Sequence, residues 1–90
     1  MGLVTKHLTP SDILSRTACI AARGVLGVSQ SDLATAANVA LSTLADFERG
    51  SRKPHWRNLL AIREQLEKRG VRFSRVGRKW NVLLPEGNRD

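Results

Sequence analysis

The sequence predicts a mainly α fold, a bundle of four helices closed by a C-terminal β-hairpin. Three features carry that expectation. Apolar residues recur every third or fourth position between Leu14 and Leu66, the period of a half-buried helix. Cap and stop residues at Ser29, Asn38, Gly50 and Gly70 cut this stretch into short pieces. Beyond Gly70 the period falls to two, as in strands. With 90 residues, 41% of them hydrophobic, the chain suits one small domain.

Each element has a local reason. Thr9 suits a cap, Pro10 the first helical position and Asp12 the acidic place of a capping box. A first helix should follow, burying Leu14, Ala18, Ala22 and Val25 and ending at Gly24 or Gly27, with Cys19 as a small packing residue. Ser29 and Asp32 repeat the capping pattern, so a second helix should run from about Gln30 to Ala37. Asn38 tolerates the left-handed turn needed next, and Val39 can plug that turn into the core. A third helix, Leu41 to Arg49, would bury Leu44 and Phe47 and stop at Gly50. After the basic connection Ser51-Arg52-Lys53-Pro54, a fourth helix from about His55 to Arg69 would bury Leu59, Ile62 and Leu66. Val71, Phe73, Trp80, Val82 and Leu84 then alternate with polar residues around a turn at Gly77.

Formal net charge is +7, and its distribution is uneven. Arg49, Arg52, Lys53 and Arg57 form one basic group, while Lys68, Arg69, Arg72, Arg75, Arg78 and Lys79 form another with no acid between Glu67 and Glu86. Such clusters favour a polyanionic partner, most often nucleic acid. No apolar run approaches the ~20 residues of a membrane span. The start shows no signal-peptide core, and Cys19 is the single cysteine, so a reducing cytoplasm is expected. His7 and His55 are isolated, there is no serine in a nucleophile elbow, and no glycine-rich phosphate loop is present. These features predict neither an enzyme nor a metal or cofactor site.

Two short helices joined by a tight turn in a strongly basic domain make a helix-turn-helix candidate, in which the first helix braces and the second enters a major groove. The ordered residues Ser29-Gln30-Ser31-Asp32-Leu33-Ala34, Val39, Ser42-Thr43-Leu44 and Glu48-Arg49-Gly50 resemble the Cro/Xre-type phage-repressor family of DNA-binding proteins. The flanks "ARGVLGVSQ" and "AIREQLEKRGVRF" resemble its short bacterial members, and the likeness spans about Ala18 to Phe73. It implies a lambda-repressor-like bundle of four to five helices whose third helix in this sequence reads double-stranded DNA, usually as a homodimer on a palindromic operator.

Carried onto this chain, the resemblance implies that Gln30 touches the DNA backbone and that Ala40, Leu41, Ser42, Thr43 and Asp46 face the bases. Arg52, Lys53 and Arg57 then suit phosphate clamps. Positions where the family often has a capping Ser or a base-reading Arg or Gln hold Ala40, Leu41 and Asp46, and the turn glycine is Asn38. Readout should therefore draw on thymine methyl groups at Ala40 and Leu41, hydrogen bonds from Ser42 and Thr43, a cytosine amino group at Asp46, and DNA shape. Arg23 and Glu48 stand where the family commonly has a partly buried ion pair.

The resulting division is an arm over residues 1–8, a helix-turn-helix domain over 9–70, a hairpin over 71–84 and a flexible tail over 85–90. The apolar hairpin residues Val71, Phe73, Trp80, Val82 and Leu84 are expected to pair with a second copy, with Arg72, Arg75, Arg78 and Lys79 on the polar face. A chain this short leaves no evident room for a small-molecule effector pocket, which favours repression by promoter occlusion. The competing reading is a protein-binding helix-turn-helix module, such as an antitoxin or a phage-encoded adaptor, that uses the apolar Ala40-Leu41 end.

Overall fold

The computed structural model describes residues 10–84. The cap expected at Thr9, the N-terminal arm and the tail lie outside the described residues. In order come α1 (Pro10–Ile13), α2 (Arg16–Leu26), α3 (Gln30–Ala37), α4 (Leu41–Arg49), α5 (Trp56–Lys68), β1 (Arg72–Val76) and β2 (Lys79–Leu83). The mainly helical bundle and its antiparallel C-terminal hairpin match the sequence expectation.

The expected first helix is broken into α1 and α2. Ser15 adopts an extended backbone at φ −84°, ψ 154°, and its hydroxyl accepts the Ala18 N–H at 3.0 Å. A serine able to satisfy a free helix N–H this way starts a new helix more readily than it continues an old one. Leu14, fully buried, fills the corner between the two segments. The stripe of α2 runs through Ala18, Cys19 and Ala22 to half-buried Leu26, which leaves Val25 51% exposed instead of buried. The helix passes through Gly24 and stops at Gly27, whose φ is +69°.

The next three helices follow their caps closely. Ser29 caps α3 by accepting the Asp32 N–H at 3.0 Å, and Asn38 ends it in the left-handed region at φ 59°. Gly50 ends α4 at φ 86°, and a Cβ there would stand 3.2 Å from Arg16 Nε, so both backbone shape and crowding ask for glycine. His55 is the cap of α5, not its first residue: its Nδ1 accepts the Arg57 N–H at 3.1 Å.

The core gathers Leu14, Leu33, Leu44, Leu59, Ile62, Leu66 and Val71, each no more than 1% exposed. The hairpin pairs Phe73 with Val82 and Arg75 with Trp80, which puts these four on one face. Phe73, Trp80 and Val82 lie against the core, with the two rings edge to face at 6.1 Å. The side chains expected to face a second copy are therefore mostly turned onto the protein's own helices. Leu84, beyond β2, is 59% exposed and takes no part in that face.

Arg63 ties the hairpin down. Its guanidinium stands over the Phe73 ring at 5.3 Å and the Trp80 ring at 5.8 Å, donates to the Ile13 carbonyl at 2.9 Å and pairs with Glu67. Arg75 also departs from expectation. It lies over Trp80 and pairs with Asp12 at 2.6 Å, so it belongs to the docked face and not to the polar one.

Candidate nucleic-acid interface

The α3–α4 pair is held by one carboxylate. Glu48, 5% exposed in the last turn of α4, accepts Arg23 Nε at 2.8 Å and Arg23 Nη2 at 2.7 Å, the two-pronged geometry a guanidinium favours. Gln30 Nε2 donates to the same carboxylate at 2.8 Å, and the Cys19 thiol donates at 3.2 Å. Arg23 also reaches the Val28 carbonyl at 3.0 Å, while Arg16 reaches the Glu48 carbonyl at 2.8 Å. Helices α2, α3 and α4 thus share a single charged node.

Burial alone pushes the Glu48 carboxyl up, but the hydrogen bonds from Arg23, Gln30 and Cys19, with the Arg23 charge, outweigh it and hold the group below its ordinary value. The hydrogen bond to Glu48 raises Arg23 in turn. Burial and then the Glu48 charge push the Cys19 thiol well above its usual range, so Cys19 keeps its proton and donates.

With Leu44, Phe47 and Glu48 turned inward, helical geometry leaves Ser42, Ala45, Asp46 and Arg49 along the opposite stripe of α4. At its start, Ala40 and Ser42 are exposed, Leu41 is 49% exposed and Thr43 is half-buried at the flank. Ala40 offers no side-chain acceptor, so the leading N–H groups of α4 have no cap from it. Arg52 and Lys53 are exposed in the connection after α4, and Arg57 is exposed in the first turn of α5. Arg57 stands 5.3 Å from the Trp56 ring, which stacks on His55 at 5.7 Å.

The structure therefore places Leu41, Ser42, Thr43 and Asp46 on α4, with Ala40 as its cap. Gln30, at the start of α3, donates its amide to Glu48, a contact the sequence alone does not indicate. The sequence reading missed Arg16 and the aromatic stack beside Arg57. Exposed Trp56 immediately before a basic residue was the available signal for the stack; nothing local pointed to Arg16.

A family model described as helix-turn-helix, HTH_3, matches residues 21–71, a span that contains α3, α4 and α5. No curated protein matches the chain.

Glu48→Ala should lower stability by ~3 kcal/mol, because it leaves Arg23 without its buried partner. That corresponds to roughly 12 to 24 °C in melting temperature for a domain of this size. The stabilisation from ionised Glu48 is complete above the ordinary glutamate value of 4.5 and is lost as pH falls through its lower folded value. Thermal melts from neutral pH to pH ~3 should show this acid loss in the parent and less of it in Glu48→Gln. Equal melting curves for parent and Glu48→Ala would reduce the node to an ordinary surface pair.

Proposed function

The chain belongs to the Cro/C1-type (Xre) helix-turn-helix family, a non-catalytic DNA-binding family, and from that premise we propose that it is a sequence-specific transcriptional regulator. It acts as a repressor, binding a palindromic operator as a homodimer. The observation that carries this reading is the division of α4: one side is locked into the Glu48 node and the core, and the other presents side chains to solvent beside an uncapped helix start. A helix so held enters a major groove as a rigid probe.

Within that groove, Ala40 and Leu41 pack on thymine methyl groups, and Ser42 and Thr43 hydrogen-bond to base edges or phosphate oxygens. The leading N–H groups of α4, at the positive end of its dipole, favour a phosphate. Arg52, Lys53 and Arg57 clamp the backbone and supply affinity without sequence information. Repression follows from occlusion of a promoter by the bound dimer. Leu41, apolar and half-exposed, is the feature that favours the competing protein-binding reading.

For the dimer, the hairpin keeps two strand edges, and Val76, Leu83 and Leu84 are 70%, 50% and 59% exposed. An edge of this kind pairs with its own copy across a two-fold axis. Such pairing sets two α4 helices ~34 Å apart, one DNA turn.

Three measurements test these assignments. Arg52→Ala and Lys53→Ala should weaken binding to all duplexes and flatten the salt dependence by ~0.9 in slope for each phosphate no longer neutralised. Joint changes at Leu41 and Ser42 should instead shift the sequence recovered in a binding-site selection; an unaltered preference removes α4 as the reader, and capture of a defined protein without any salt-dependent DNA shift supports the competing module. In sedimentation equilibrium, the full chain should be a dimer and the variant carrying Val76→Asp and Leu83→Asp a folded monomer. A variant that still sediments as a dimer rules out the outer face of the hairpin as the seam.

A further inference from the structure

Asp46 and Arg49 form an ion pair on the outward stripe of α4, with side chains 31% and 63% exposed. They share that stripe with Ser42, two turns before Arg49, and stand opposite Leu44, Phe47 and Glu48. Resting on the reading of α4 as the groove helix, we propose that Arg49 is a specificity-determining residue that reads a guanine, and that Asp46 is a positioning residue that holds it.

Side-chain length lets Arg49 read from the far end of the helix. A groove helix is closest to the bases at its N-terminal end. Arg49 lies seven residues beyond Ser42, about 10 Å along the axis at ~1.5 Å per residue. Arginine, the longest side chain on that stripe, can follow the bases there. Donor count agrees. A guanidinium carries five N–H donors, of which Asp46 engages one through Nη2. The others can make the two-pronged contact to guanine O6 and N7, the commonest specific contact in a major groove.

Electrostatics point the same way. An unpaired Asp46 would enter a groove flanked by phosphates as a bare negative charge, and the Arg49 partner cancels it. Fixing the guanidinium before docking also reduces the rotamer entropy lost on binding. The backbone beneath is itself fixed: the Ser51 N–H and hydroxyl both bond the Asp46 carbonyl, at 2.9 and 3.3 Å, and Arg16 holds the Glu48 carbonyl.

The test is a binding-site selection from random duplex DNA with the full chain, comparing the parent with Arg49→Ala, Arg49→Lys, Asp46→Ala and the double variant. The parent should select a consensus containing a guanine whose preference drops roughly 5- to 100-fold in Arg49→Ala, while other positions persist. Arg49→Lys should not restore it fully, since an ammonium lacks the planar fork. Asp46→Ala should weaken the same position and add nothing in the Arg49→Ala background. A uniform loss of affinity in Arg49→Ala, with the consensus intact, overturns the inference and makes Arg49 a phosphate contact. Loss of preference in Asp46→Ala with retention in Arg49→Ala overturns it in favour of direct reading by Asp46. A parent that selects no consensus overturns the groove-helix reading and this inference with it, so the two failures are distinguishable.

Discussion

The Glu48 carboxylate is where three helices meet, and the working surface of the protein depends on how firmly it is held. Isolated helices of eight and nine residues, the lengths of α3 and α4, are too short to persist in water. Apolar contacts alone leave such short helices free to slide and rotate, because burial is non-directional. Arg23, Gln30 and Cys19 add direction: each bond to Glu48 has a narrow range of length and angle. A buried ion pair of this kind contributes less to net stability than to choosing one arrangement among several of similar energy. Here those bonds join α4 to both α2 and α3.

The rest of the fold supports that node from behind. Arg16 bonds the Glu48 carbonyl from the first turn of α2, and Ser15 starts that turn where it does. The hairpin closes the side formed by α2 and α5, with Arg63 and Arg75 as cationic pins over Phe73 and Trp80. Part of the high positive charge is thereby structural, since Arg16, Arg23, Arg63 and Arg75 all have protein partners. Arg52, Lys53 and Arg57 are exposed and make no ion pair within the described residues.

Much of this was legible in sequence because the signals are local. Ser29, Asn38 and Gly50 marked both ends of α3 and the end of α4, as caps and left-handed turns need only neighbouring backbone groups. The family resemblance pointed to Arg23 and Glu48, and the two side chains pair at 2.7 Å. The break at Ser15 went unseen, since a helix with apolar spacing from Leu14 to Ala22 and a helix restarted at Arg16 share one pattern. The bond from Gln30 to Glu48 was not legible for a different reason: an amide at a helix start can turn outward or inward, and the buried carboxylate that receives it lies 18 residues away. The partners of Arg16, Arg63 and Arg75 lie 32, 50 and 63 residues away, beyond the reach of any periodicity.

The central claim is that Arg23 and Glu48 act as a unit to set α4, in the free protein and on DNA alike. A double-mutant cycle with Arg23→Ala, Glu48→Ala and both, read in unfolding free energy and in affinity for a selected duplex below all melting points, measures that claim most directly. The account predicts a coupling above ~1 kcal/mol in unfolding, with the second substitution adding little further loss of DNA affinity. Effects that add within ~0.5 kcal/mol in both measurements would contradict it.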